Sequence, residues 1–175
     1  MIRWKFTFDK DEEQEWLNEY CRQGWAMVSF CFGMVTFIPC EPGAYTYQID
    51  LLPGRGLRPD DYEGYASFMA DMDVEVLQRW GRWVYLRKSS ADGPFEIYTD
   101  IDSRLQLYRR IRGMFLWALA LELLCSVSVW SQLARFPEEM FSRGLAGLYL
   151  VIIAVILRAV WRCGRKIEDL ERQRS

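Results

Sequence analysis

The sequence predicts an α+β protein: a soluble domain built from a duplicated strand-helix-strand-strand unit, followed by a two-helix transmembrane hairpin. Three observations predict it. Apolar residues switch twice from alternating to helical spacing within the first 90 positions. Two tight glycine turns, at Gly33 and Gly81, fall 48 residues apart. Two long apolar stretches close the chain.

Ile2, Trp4, Phe6 and Phe8 alternate, the period-2 mark of a half-buried strand, and Asp9 to Gln23 then take helical spacing through Trp16, Leu17, Tyr20 and Cys21. Trp25 to Phe32 and Met34 to Ile38 read as strands around Gly33. The same order recurs after Tyr45, Tyr47, Ile49 and Leu51. A second helix carries Tyr62, Tyr65, Ala66, Met69 and Met72, and strands from Val74 to Trp80 and Arg82 to Lys88 flank Gly81. Asp9 with Glu12, and Asp60 with Glu63, have the D-x-x-E spacing of a capping box. The repeats span about 2–40 and 44–90 within a cytoplasmic domain of 1–103, with PGRGLRP, Pro53 to Pro59, as an extra loop in the second.

Gly113 to Leu133 contain one ionisable side chain over a length that meets the roughly 20 residues needed to cross a bilayer core. Gly144 to Trp161 form the second span, uncharged until Arg158, whose stem can snorkel to the headgroups. Trp117, Trp130 and Trp161 lie near span ends, where amphipathic rings favour the interface. The alternative, two buried helices of a soluble bundle, calls for a polar stripe that the second span lacks. A basic linker, 104–112, precedes the first span; a loop, 134–143, joins the two; and a basic tail, 162–175, follows. Arg104, Arg109, Arg110 and Arg112, with Arg158, Arg162, Arg165, Lys166, Arg172 and Arg174, put both termini on the cytoplasmic side of the inner membrane by the positive-inside rule. The loop containing Pro137 is then outside.

The net charge of −2 conceals an asymmetry: residues 1–100 carry −7 and the remainder +5. An acidic domain argues against a nucleic-acid face. There is no histidine, which removes the commonest general base and metal ligand and weighs against an enzyme. Cys21, Cys31, Cys40, Cys125 and Cys163 have no C-x-x-C spacing and read as reduced thiols, with neither a disulfide framework nor a structural zinc site. MIRWKFTFD lacks the apolar core of a signal peptide, so the N-terminus is expected to begin inside the folded domain.

EEQEWLNEYCRQGW, YTYQIDL, DYEGYASFMADMDVEVLQRWGRWVYLRK and FEIYTDIDSRLQLYRRI together resemble the bacterial family catalogued as domain of unknown function number 2812, over about the first 110 residues. The resemblance implies a domain commonly followed by membrane spans and often encoded near PadR-type transcriptional regulators, hence a regulatory or stress-linked setting. It carries over no catalytic residue. The family's second helix usually ends in Gly-Trp-Glu, where this chain has Met72, Asp73, Val74 and Glu75. At the level of topology the repeats also resemble paired strand-helix-strand-strand modules in which some bacterial regulators hold small ligands between the copies.

Candidate functional residues fall in four groups. Glu122 sits in mid-span, where an acid costs roughly 3 kcal/mol, with Ser126 one turn on and Cys125 and Ser128 nearby. It marks an intramembrane polar contact, made locally or across an oligomer, and less readily a proton-coupled site. Trp25, Tyr47, Trp83 and Tyr85, with Trp4, Tyr45 and Trp80, either line a pocket for a flat apolar molecule or form the core. Asp71, Asp73 and Glu75 form a solvated acidic edge or, less readily, a divalent-cation site. Arg109, Arg110, Arg112, Arg158, Arg162 and Arg165 meet lipid headgroups or fix topology. The expectation is a membrane-anchored, non-enzymatic regulatory or sensor protein without cofactor or metal, whose cytoplasmic domain binds a small ligand or protein partner. Its partners are the lipid bilayer and a possible homo-oligomer or membrane protein, and no nucleic acid. The alternative is an accessory subunit docking through the hairpin.

Overall fold

The computed structural model describes residues 1–52, 59–135 and 140–174. The chain divides into two units, Met1–Thr99 and Asp100–Ser175.

In the first unit the elements follow as β1 (Ile2–Trp4), α1 (Lys10–Arg22), β2 (Trp25–Cys31), β3 (Met34–Pro39), β4 (Tyr45–Leu51), α2 (Pro59–Ala70), β5 (Glu75–Trp80) and β6 (Trp83–Ser89). Each repeat forms its own antiparallel three-stranded sheet, ordered β1-β3-β2 and β4-β6-β5, so the last strand of each repeat is central. Even the irregularities recur. The register shifts between Met27 and Ser29 in β2 and between Val76 and Gln78 in β5.

Helix starts and stops follow from local chemistry. The Asp9 carboxylate caps α1 by accepting from the Asp11 N–H at 3.1 Å. The expected reciprocal half is routed through Thr7, whose Oγ1 accepts from the Asp9 N–H at 3.2 Å and whose hydroxyl reaches Glu12 at 3.4 Å. The loop 53–58 lies outside the described residues, as does the side chain of Asp60, on which the second expected box depends. After α2, the Asp73 N–H donates to the Ala70 carbonyl and the Val74 N–H to that of Met69, a Schellman ending that puts Asp73 at φ 56°. At the matching corner after α1 stands Gly24, at φ 86°. The second corner thus holds a side chain where left-handed backbone favours glycine.

β1 is shorter than the alternation predicts, and Ile2, Trp4, Phe6 and Phe8 are exposed rather than half-buried. Beyond Trp4 the chain leaves the sheet. The Lys5 N–H bonds the Gly33 carbonyl at 2.8 Å, and Phe6 lies so close that a Cβ at Gly33 would fall 2.7 Å from its ring.

Two cores form. One joins Leu17 and Cys21 of α1, Met27, Phe30, Val35 and Phe37 of the first sheet, and Tyr47, Ile49 and Tyr85 of the second. The other gathers Leu52, Met69, Val74, Val84, Leu86 and Phe95 on the opposite face of the second sheet. That sheet is therefore covered on both sides, which buries Asp50 although its neighbours alternate as if one face met water.

In the second unit, α3 (Ile101–Arg135) and α4 (Met140–Arg174) pack as an antiparallel pair, tied near its base by Arg109–Glu171 at 2.7 Å and Asp102–Arg174 at 3.3 Å. Residues 104–112, expected as a linker, are the first turns of α3, and the expected tail is helical through Arg174. The basic side chains leave both helices unbroken because Arg and Lys are good helix formers. Both helices are long and apolar enough to cross a membrane, and only 17% and 11% of their most apolar stretches are buried.

Candidate functional site

The two repeats meet through polar side chains that take the place of a strand ladder. β4 is an edge strand, and α1 satisfies its free backbone. Asn18 Oδ1 accepts from the Tyr47 N–H at 2.8 Å, Asn18 Nδ2 donates to the Tyr47 carbonyl at 3.1 Å, and Gln14 Oε1 accepts from the Ile49 N–H at 3.2 Å. β2 and β5, edge strands of different sheets, are joined by Gln78. Its Oε1 accepts from the Phe30 N–H and its Nε2 donates to the Phe30 carbonyl, both at 2.6 Å. A third amide, Gln48, accepts from the Ile97 N–H and donates to the Phe95 carbonyl, holding the segment after β6 against β4.

Within this junction Glu13 of α1 accepts a hydrogen bond from the Tyr85 hydroxyl at 2.8 Å. Burial pushes the Glu13 carboxyl above its usual range, against the opposing pull of the Tyr85 bond and Lys5. Burial first, then the neighbouring Glu13, pushes the Tyr85 phenol up as well. Tyr47, whose oxygen accepts from the Met27 N–H at 3.0 Å, is pushed up to about 12, mainly by burial. Neutral phenols and a carboxyl that resists ionisation make this a place for hydrogen bonding rather than for charge.

The four aromatics read as a pocket come together here: Tyr47 and Tyr85 belong to the first core, with Trp25 and Trp83 packed against it. Phe30 stacks on Tyr85, with ring centroids 4.9 Å apart. Trp80 meets the far side of this cluster, edge-on to Phe30 at 5.5 Å, and with Trp4 it lies on an exposed aromatic end of the domain. There Trp4 and Phe6 stack at 5.9 Å, Phe6 abuts the tip at Gly33, and Phe32 meets Trp80 edge-on at 5.4 Å. These four side chains are between 39% and 74% exposed. Phe8 is exposed too.

Asp50 is a site residue that no spacing or motif in the sequence singles out. Its carboxylate is 1% exposed and accepts from the Leu51 N–H at 2.7 Å and from the Tyr98 and Tyr65 hydroxyls, both at 2.9 Å. It thereby ties β4 to α2 and to the segment before α3. The signal was present as an acid inside the strand YTYQIDL, but only the cover on that face gives it meaning. Of the acidic edge, Glu75 pairs with Arg87 at 2.5 Å, and among the described residues no three metal-ligating side chains come together.

In the helical pair, the Ser126 hydroxyl donates to the Leu123 carbonyl of its own helix at 2.8 Å rather than to Glu122. Ser128 likewise bonds the Cys125 carbonyl. Glu122 has no hydrogen bond or ion pair among the described residues. Arg109, Arg112, Arg158 and Arg165 are exposed while Arg110 and Arg162 are half-buried, and Arg165 lies over the Trp161 ring at 5.1 Å.

Fold and sites together define a duplicated strand-helix-strand-strand domain followed by an apolar helical hairpin. The chain belongs to the family described as Protein of unknown function (DUF2812), whose profile matches residues 9–120 and so includes the start of the first apolar helix. No curated protein and no solved structure gives a significant match.

Proposed function

We infer that the protein is a membrane-anchored, non-enzymatic regulatory or sensor protein, inserted by α3 and α4 with both termini in the cytoplasm. Its domain engages a binding partner. The observation that carries the reading is the exposed aromatic end formed by Trp4, Phe6, Phe32 and Trp80 on a domain whose net charge is otherwise −7. Contiguous apolar surface of this kind costs solubility and is typical of interaction sites. Anchoring is supported by two lipid-length apolar helices that expose most of their apolar surface, unlike the core helices of a soluble bundle. A small ligand held at the junction of the repeats, near Glu13 and Tyr85, is the form in which the same domain would sense rather than dock.

A photo-crosslinking residue at Phe32, in the full chain in native membranes, tests the docking surface. A discrete product lost on Trp80→Ser, with the domain still folded, supports the reading. Crosslinks no richer than those from an exposed polar position such as Gln23 refute it. A fluorescent reporter that matures only in the cytoplasm, fused after Ser175, should be bright; a dark, translocated reporter refutes the orientation.

One observation favours the second reading, an accessory subunit docking through the hairpin: Glu122 lies mid-helix with no hydrogen bond or ion pair among the described residues, and so offers its carboxyl to another span.

A further inference from the structure

The base of the helical pair holds a groove of about 420 Å³. Gly113 of α3 and Gly164 of α4 open it, and a Cβ at either would meet nothing within 4 Å. Four charged side chains line it: Arg109 and Arg112 from α3, Glu168 and Glu171 from α4. Arg109 and Glu171 neutralise each other at 2.7 Å. Arg112 and Glu168 make no ion pair or hydrogen bond among the described residues, so the groove presents one uncommitted guanidinium and one uncommitted carboxylate.

The geometry points to a binding site for a zwitterionic phospholipid with a primary ammonium, a phosphoethanolamine headgroup, whose phosphate meets Arg112 and whose ammonium meets Glu168. The inference rests on the reading that α3 and α4 span the membrane, which sets this groove at the cytoplasmic headgroup level. Arg109 to Leu116 covers about 10 Å of helix, comparable with the headgroup layer. Leu116, exposed at the end of the groove where the apolar run begins, continues the path that an acyl chain would take. The charge pattern selects the headgroup. A purely anionic lipid would set its uncompensated charge beside Glu168. A choline headgroup carries the positive charge but has no N–H to donate, whereas an ammonium donates up to three hydrogen bonds.

The test is native mass spectrometry of the full chain, released from bilayer discs containing equal parts of phosphatidylethanolamine, phosphatidylcholine and phosphatidylglycerol. The ethanolamine lipid should be retained roughly ten-fold or more over its share, the discrimination that one charge-assisted hydrogen bond supplies. Glu168→Gln, which keeps an acceptor but loses the charge, should shrink the preference for ethanolamine over choline lipid, and Glu168→Leu should bring the two to parity. Arg112→Gln should reduce retention of all three, and Gly113→Leu should fill the groove and do the same. Retained lipid that mirrors the bulk mixture, favours phosphatidylglycerol, or ignores Glu168→Gln overturns the inference while leaving membrane insertion intact. Extraction of the chain from its membranes by alkaline carbonate would instead overturn the insertion itself, and the site with it.

Discussion

Gln78 is the most economical place to test how the repeats are joined. Gln78→Ala deletes two hydrogen bonds of 2.6 Å to the backbone of Phe30, a residue only 7% exposed. Each such bond contributes about 0.5–1.5 kcal/mol net, and leaving a buried N–H and carbonyl unmet moves the cost towards the upper end, so the loss should be about 2 kcal/mol. For a domain of this size that lowers the melting temperature by roughly 8–16 °C. Gln78→Glu is the sharper variant, since an ionised carboxylate still accepts from the Phe30 N–H but turns its other oxygen on the Phe30 carbonyl. Protonation restores the donor. The neutral acid is therefore favoured in the fold, the carboxyl value is raised, and the variant should recover towards wild type as pH falls into the carboxyl range, then lose that gain as pH rises. Thermal unfolding followed by circular dichroism, with hydrogen exchange at the Phe30 amide, reads both effects. Gln78→Ala melting within a degree or two of wild type, with the Phe30 amide still protected, would show that the sheets are held together by their shared core alone.

Three further perturbations probe other elements. Because burial raises the Glu13 carboxyl, the folded state holds its proton more tightly than the unfolded chain; stability from this group is full below the ordinary value and is lost as pH rises through the raised one. Glu13→Gln should therefore gain on wild type in urea titrations as pH climbs from about 4 towards neutrality, and a constant gap would contradict the assignment. Asp73→Gly, which puts glycine at the φ 56° corner, should stabilise by about 0.5–1 kcal/mol, whereas Gly24→Ala at φ 86° should destabilise by a similar amount or more, both read from the denaturation midpoint. Glu122→Leu should lower the oligomer or partner-bound fraction in mild detergent while Glu122→Gln largely keeps it, since interhelical bonds of this kind contribute about 0.6–2 kcal/mol; an unchanged fraction with leucine would leave the carboxyl without an assembly role.

The residues that made the fold legible are those whose chemistry acts through spacing. Trp16, Leu17, Tyr20 and Cys21 sit at helical intervals because α1 has one face on the core, and Gly33 and Gly81 mark hairpin tips because positive φ is cheap only for glycine. Phe6 and Phe8 misled for the same reason: alternation states that one face is apolar, not that anything lies against it. Asp50 misled in the opposite sense. A polar residue on the far face of β4 implies water there unless a second layer covers it, and that layer, with Tyr65 and Tyr98 as donors, comes from 15 and 48 residues further along the chain. The amides were least legible of all. Gln14, Asn18 and Gln78 have no periodicity to betray them, since an amide on a surface and an amide completing a strand edge are the same residue in sequence. Two three-stranded sheets bring edge strands whose N–H and carbonyl groups must be met by something. Here side chains meet them at β4 and β2, so the two sheets are joined without merging into one continuous ladder. A junction made of amides and phenols, with one raised carboxyl, holds the repeats together through polar contacts. On the proposed sensing form, in which a small ligand seats at this junction, Glu13 and Gln78 rather than the buried aromatics around them are the positions at which binding and domain stability should be coupled.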